Sequence, residues 1–104
     1  MIHHFDDAPI ACSLTGVELR DREATLVAQF RSGLIRTEEL QEGFAFLIPG
    51  DGERIRQVAE LIVAERVCCP FLMFEVSAPP SMGRVTVRVT GPAGTKEFLR
   101  KRLA

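Results

Sequence analysis

Two adjacent cysteines followed by a proline, Cys68-Cys69-Pro70, are the residues of this chain best suited to chemistry. Adjacent thiols pair poorly with one another, because the small ring that they would close distorts the peptide between them. Two neighbouring thiolates can instead face one ion, since sulfur ligands select zinc, copper(I) and other soft metals over magnesium or calcium. With Cys12 as a third sulfur, the sequence predicts a site for a soft metal or metalloid ion.

Glu65 is the fourth member of this predicted site. On a helix that runs to Val67 it shares a face with the two cysteines, because steps of three and four residues align along a helix. Its carboxylate could be an oxygen ligand, or it could accept protons when the thiols ionise on metal binding. The alternative is that Glu65 is a solvated residue paired with Arg66 or Arg56.

The number of ligands decides which ion such a site could hold. A structural zinc site takes four ligands, and Glu65, His3 or His4 could be the fourth. We interpret the two histidines as terminal residues rather than ligands. A trigonal arsenite or mercury site would need only the three sulfurs. Zinc or another thiophilic ion is therefore the expected cofactor.

The position of the cysteine pair disfavours an unassisted nucleophile. Cysteine nucleophiles are usually activated at helix N-termini, whereas Cys68 and Cys69 follow a predicted helix and lie at the negative end of its dipole. A cation is needed to offset that field. A metal ion would supply it directly, and Arg66 would supply a weaker one.

Two other interpretations of the cysteines stay open. A thiol-dependent redox enzyme would form a disulfide between Cys12 and one of Cys68 or Cys69. Alternatively, the cysteines are purely structural, since free cysteine often packs like a small hydrophobe. The chain would then be an interaction module that forms a homodimer through a solvent-facing sheet surface or a strand edge.

Composition limits the class of protein. The chain has 104 residues, of which 46% are hydrophobic and 26% charged, and this predicts one folded domain over residues 1–104. A net charge of -1 gives no broad positive field for nucleic acid or an anionic membrane. The first residues lack the pattern of a signal peptide, so we expect a cytoplasmic protein with reduced thiols.

The pattern of apolar residues predicts an α+β fold, with a mostly antiparallel sheet that carries two or three helices on one face. The clearest strand is Arg84–Thr90, in which valines alternate with arginines and threonines, as in a strand with one buried and one solvent-exposed face. The other predicted elements are a helix that opens at the capping box Thr15–Glu18 and ends near Gly33, a hairpin within 34–48, a helix from about Glu53 to Val67, a strand over 71–78 and a last helix after Gly91-Pro92. A thioredoxin-like α/β fold is the alternative. It would require Ile10–Leu14 to be a central strand, no hairpin before Phe44, and a cis proline at Pro70.

The segment from Glu65 to Glu75, with its Glu-Arg-x-Cys-Cys-Pro-Phe motif, resembles a family of small, largely uncharacterised bacterial proteins associated with heavy-metal resistance. The segments Ile10–Thr15 and Thr90-Gly91-Pro92 are also similar to that family, so the resemblance covers most of the chain. It implies a thiol site and does not assign a reaction.

Overall fold

The structure, a computed structural model, describes residues 16–80 and 83–103. Within those ranges it contains three helices and a four-stranded sheet, so the predicted α+β class is confirmed. The elements are α1 (Val17–Ser32), β1 (Arg36–Glu39), β2 (Gly43–Ile48), α2 (Gly52–Cys68), β3 (Met73–Ser77), β4 (Val85–Thr90) and α3 (Thr95–Arg102). The predicted ligand Cys12, both histidines and the predicted strand at Ile10–Leu14 lie outside the described residues.

The sheet has the strand order β1-β2-β4-β3, and every neighbouring pair is antiparallel. The predicted hairpin forms as β1 and β2, with Glu39 opposite Phe44. A thioredoxin-like fold requires that no hairpin forms before Phe44, whereas β1 and β2 pair there as an antiparallel hairpin. The thioredoxin-like alternative is therefore wrong for this part of the chain.

One face of the sheet is the core face, and β4 shows it most clearly. Val85, Val87 and Val89 are buried, whereas Arg84 and Arg88 are exposed, which confirms the alternation read from the sequence. The register places Ile48, Phe46 and Phe44 of β2 opposite the three valines, on the same face. The helices cover this face with buried residues of each: Leu26 and Phe30 of α1, Val58 and Leu61 of α2, and Leu99 and Leu103 at the end of α3.

The ends of α2 are fixed by local chemistry. Its first turn is capped by Asp51, whose carboxylate accepts a hydrogen bond from the backbone N–H of Arg54 at 3.1 Å. At the other end Pro70 stops the helix, because the residue before a proline avoids the helical region. Cys68 is thus the last helical residue and Cys69 the cap. None of the described helices is both long and apolar enough to cross a bilayer.

Helix α3 starts after Gly94, whose φ of 98° lies in the left-handed region that favours glycine. From there the helix returns along the core face, and its last residues reach the end of α2. The final turn of α3 and the final turn of α2 therefore meet at one place in the fold.

Candidate functional site

The two cysteines at the end of α2 are wholly buried. Cys68 and Cys69 are both 0% exposed and form a small apolar cluster with Phe71, against which Leu72 and Phe98 pack. Backbone hydrogen bonds hold the segment in place, because the N–H of Cys69 donates to the carbonyl of Glu65 at 2.6 Å. The sulfurs are consequently fixed in position and shielded from water.

The two sulfurs differ in their chemical state. Cys68 is disulfide-bonded, whereas Cys69 is a free thiol. Their Sγ atoms are 3.4 Å apart, so the neighbours are close without being bonded to one another. This agrees with the expectation that adjacent cysteines avoid a mutual disulfide.

Glu65 lies beside the thiols, one turn before Cys69. Its carboxylate is 0% exposed, and the Cys69 thiol donates a hydrogen bond to Oε2 across 3.6 Å. The structure therefore brings three of the four predicted site residues together. The alternative in which Glu65 is a solvated partner of Arg66 or Arg56 is wrong, because both arginines are exposed and the carboxylate faces inward.

The partner of Glu65 comes from α3. Arg102 forms a fork on its carboxylate, with Nε 3.0 Å from Oε1 and Nη2 3.2 Å from Oε2. The same guanidinium is 3.4 Å from Cys68 Sγ and pairs with the carboxylate of Glu23 on α1. It also lies over the Phe98 ring, 5.4 Å from the centroid. Arg102 thus supplies the cation that the helix end requires, whereas the sequence predicted a metal ion or Arg66 in that role.

Burial controls the protonation of this cluster. It raises the pKa of the Glu65 carboxyl to about 7, against the hydrogen bond from Cys69, which lowers it. Burial also raises the pKa of the Cys69 thiol well above its ordinary value, and the charge of Glu65 and the hydrogen bond between them act in the same direction. At neutral pH Cys69 is therefore a thiol, and ionising it requires a stronger cation than the one already present.

The spacing of the donor atoms is compatible with ion binding. One oxygen of Glu65 and the sulfurs of Cys68 and Cys69 lie within 4.8 Å of one another. Two sulfurs on one tetrahedral zinc would be about 3.8 Å apart, and a sulfur and an oxygen about 3.6 Å apart. The observed separations are 3.4 Å between the sulfurs and 3.6 Å between Cys69 Sγ and Glu65 Oε2. With Cys68 reduced, shifts of a few tenths of an ångström would suffice for these atoms to share an ion.

Two members of the site were not identified from the sequence. In the sequence, Glu23 lies three residues before Leu26 on the apolar stripe of α1, and Arg102 is one of three consecutive basic residues at the end of α3. The available signal was the carboxylate of Glu23 on a face shared with Leu26 and Phe30, since a buried acid requires a cation or a proton. The sequence does not show which of the basic residues would provide it.

Comparison of the chain with known proteins finds no matching family model, curated protein or solved structure. The function is therefore inferred from the residues of the site.

Proposed function

We propose that the protein binds a thiophilic metal or metalloid ion, such as zinc, arsenite or mercury, through the thiolates of Cys68 and Cys69. The observation that carries the proposal is the buried cluster of two sulfurs and the Glu65 carboxylate, whose ligand atoms lie within 4.8 Å of one another. Sulfur donors select soft ions, and a buried site protects the bound ion from competing water. The ion would compensate the helix dipole and stabilise both thiolates.

Each residue has a distinct role in this proposal. Cys68 and Cys69 are the soft ligands, and Cys68 must be reduced to act as one. Glu65 either binds a harder ion such as zinc through oxygen or accepts a proton as the thiols ionise. Cys12 is proposed as the third sulfur, which would complete a trigonal arsenite or mercury site.

The experiment is a titration of the fully reduced protein with zinc, arsenite and mercury(II), followed by thiolate absorption and native mass spectrometry. We expect one ion per chain, bound far more weakly by the Cys68→Ser, Cys69→Ser double variant. Cys12→Ser should weaken arsenite binding if the third sulfur is a ligand. Equal affinity of the wild type and the double variant for all three ions would refute the proposal.

A second candidate, thiol–disulfide exchange, is favoured by one observation. The free Cys69 thiol lies 3.4 Å from the sulfur of Cys68, which is already in a disulfide. In an exchange step, the thiolate of a small-molecule thiol attacks the disulfide sulfur of Cys68 and bonds to it. The former partner of Cys68 then leaves as a thiolate, so no external oxidant is consumed.

The two candidates differ in whether they catalyse a reaction. An exchange enzyme would reduce a small disulfide substrate catalytically in the presence of a thiol, and Cys68→Ser would abolish that activity. An ion-binding protein would show no turnover. A cytosolic location suits either candidate, because the reducing environment there would keep Cys68 exchangeable.

A further inference from the structure

Arg102 is the one described residue that contacts the acidic or sulfur groups of both other helices at the site. It pairs with Glu23 of α1, forms a bidentate ion pair with Glu65 of α2 and lies close to the sulfur of Cys68. Two carboxylates therefore share a single guanidinium in a largely buried cluster. The cluster carries more negative than positive charge when both acids are ionised.

Exposure decreases from Arg102 towards the sulfurs. The side chain of Arg102 is 19% exposed, that of Glu23 is 9% exposed, and that of Glu65 is 0% exposed. Cys68 and Cys69 are also 0% exposed. Among these side chains that of Arg102 is the most exposed, so it covers the sulfur of Cys68 and the carboxylate of Glu65, both of which it contacts, on the side towards solvent.

Arg102 also contacts the atoms that would bind an ion. Its Nη2 is 3.2 Å from Glu65 Oε2 and 3.4 Å from Cys68 Sγ. An ion bonded to the same atoms would lie within a few ångströms of the guanidinium, where like charges repel strongly because little water intervenes. The fork and the ion cannot both occupy this side of Glu65.

We propose that Arg102 and the soft ion are alternative cations of one acidic thiol site, so that ion entry displaces Arg102 and releases the last turn of α3. The inference rests on the proposed function and adds its regulation. Displacement would leave Glu23 as an additional carboxylate next to the ion. The released turn contains Leu103, which is 0% exposed in the ion-free arrangement, so binding at buried sulfurs would create a new apolar surface at the end of the described chain.

Amide hydrogen exchange of the reduced wild-type protein, with and without mercury(II) or zinc, tests the coupling directly. We expect exchange in the segment from Leu99 to Leu103 to rise at least about tenfold when the ion binds, because the N–H of Leu103 donates to the carbonyl of Leu99 in the closed turn. Binding without added exchange in this segment would overturn the inference and leave the proposed function intact. No ion binding would overturn the proposed function itself.

A variant series tests the competition. Arg102→Met should bind the ion more tightly than the wild type, by about tenfold or more, because the competing charge is gone. Arg100→Met is the matched control, since it removes a charge from the same helix, 48% exposed and paired with Glu39, without touching the site. Equal gains in both variants would show a general charge effect and overturn the inference.

A further measurement requires neither an ion nor the methionine variant. Arg102→Lys keeps the charge but cannot form the fork, so it should loosen the cover over the sulfurs. The reaction of Cys69 with an aromatic disulfide reagent should become several-fold faster in Arg102→Lys than in Arg100→Lys. Equal rates would show that Arg102 does not control access to the thiol.

Discussion

Removal of Arg102 should destabilise the protein far more than removal of an exposed arginine. In Arg102→Met the carboxylates of Glu65 and Glu23 lose their common partner while they remain buried. Breaking a buried pair in this way costs about 3–5 kcal/mol, because an uncompensated charge is left in a poorly solvated place. Arg22→Met is the control: it breaks the exposed pair with Glu60 between α1 and α2, with side chains 61% and 50% exposed, and should cost below about 1 kcal/mol.

The cost of Arg102→Met should depend on pH in a defined direction. Burial raises the pKa of Glu65 from 4.5 to about 7. Between these two pH values the folded state therefore binds more protons than the unfolded state. The stability due to this proton is fully present below the unfolded pKa and is lost as the pH rises to about 7. Loss of Arg102 raises the pKa further, so the variant should continue to lose stability above pH 7, where the wild type no longer does.

Urea unfolding at pH 5 and pH 8, followed by far-ultraviolet circular dichroism because the chain has no tryptophan or tyrosine, measures both effects. The difference in the free energy of unfolding between the wild type and Arg102→Met should be larger at pH 8 than at pH 5. Glu65→Gln should reduce the cost of Arg102→Met, since it removes one of the buried charges. A cost no larger than that of Arg22→Met, or a gap that narrows at pH 8, would refute the assignment of Arg102 as the buried counter-ion.

Three further predictions concern the core and the thiols. Val87→Asp should cost several kcal/mol in urea unfolding, because Val87 is 1% exposed on the core face, whereas Arg84→Asp on the exposed side should change stability by about 0.5 kcal/mol or less. Alkylation of Cys69 by iodoacetamide at pH 8 should be roughly a hundredfold slower in the folded protein than in urea, because burial raises the pKa of its thiol. Similar alkylation rates in the folded and the urea-unfolded protein would show that Cys69 is accessible to solvent. Peptide mapping under mild oxidant should place a disulfide between Cys12 and Cys68 rather than Cys69, and a Cys68–Cys69 product would contradict this.

Local pattern was sufficient to predict most of the sheet. The alternation of Val85, Val87 and Val89 fixes the core face of β4, since successive side chains of a strand point to opposite sides. The run from Phe44 to Ile48 predicted the second strand of the hairpin, and the structure pairs that strand directly with β4. Pro70 predicted the end of α2. Each of these features depends on residues close in sequence, where period and turn chemistry are visible.

The counter-ion of the site depends on contacts that are distant in sequence. The fork joins residues 37 positions apart, and Arg102 is 79 positions from Glu23. The basic end of α3 contains Arg100, Lys101 and Arg102 in succession, and their types alone do not indicate that Arg102 turns inward while Arg100 pairs with Glu39 at the surface. The vicinal cysteines and Glu65 could be grouped because helical spacing brings them together. Their cation could not be identified, since it is fixed by how α3 packs beside α2.

X-ray absorption of the reduced protein loaded with one equivalent of zinc or arsenite is the most direct test of the ion site. We expect two or three sulfur neighbours around the ion, at about 2.3 Å for zinc, and loss of this shell in the Cys68→Ser, Cys69→Ser double variant. Arsenite should show sulfur ligands only, whereas zinc should also show a light-atom ligand from Glu65 that disappears in Glu65→Leu. A shell of oxygen and nitrogen alone, or an identical shell in the double variant, would show that the vicinal cysteines do not bind the ion.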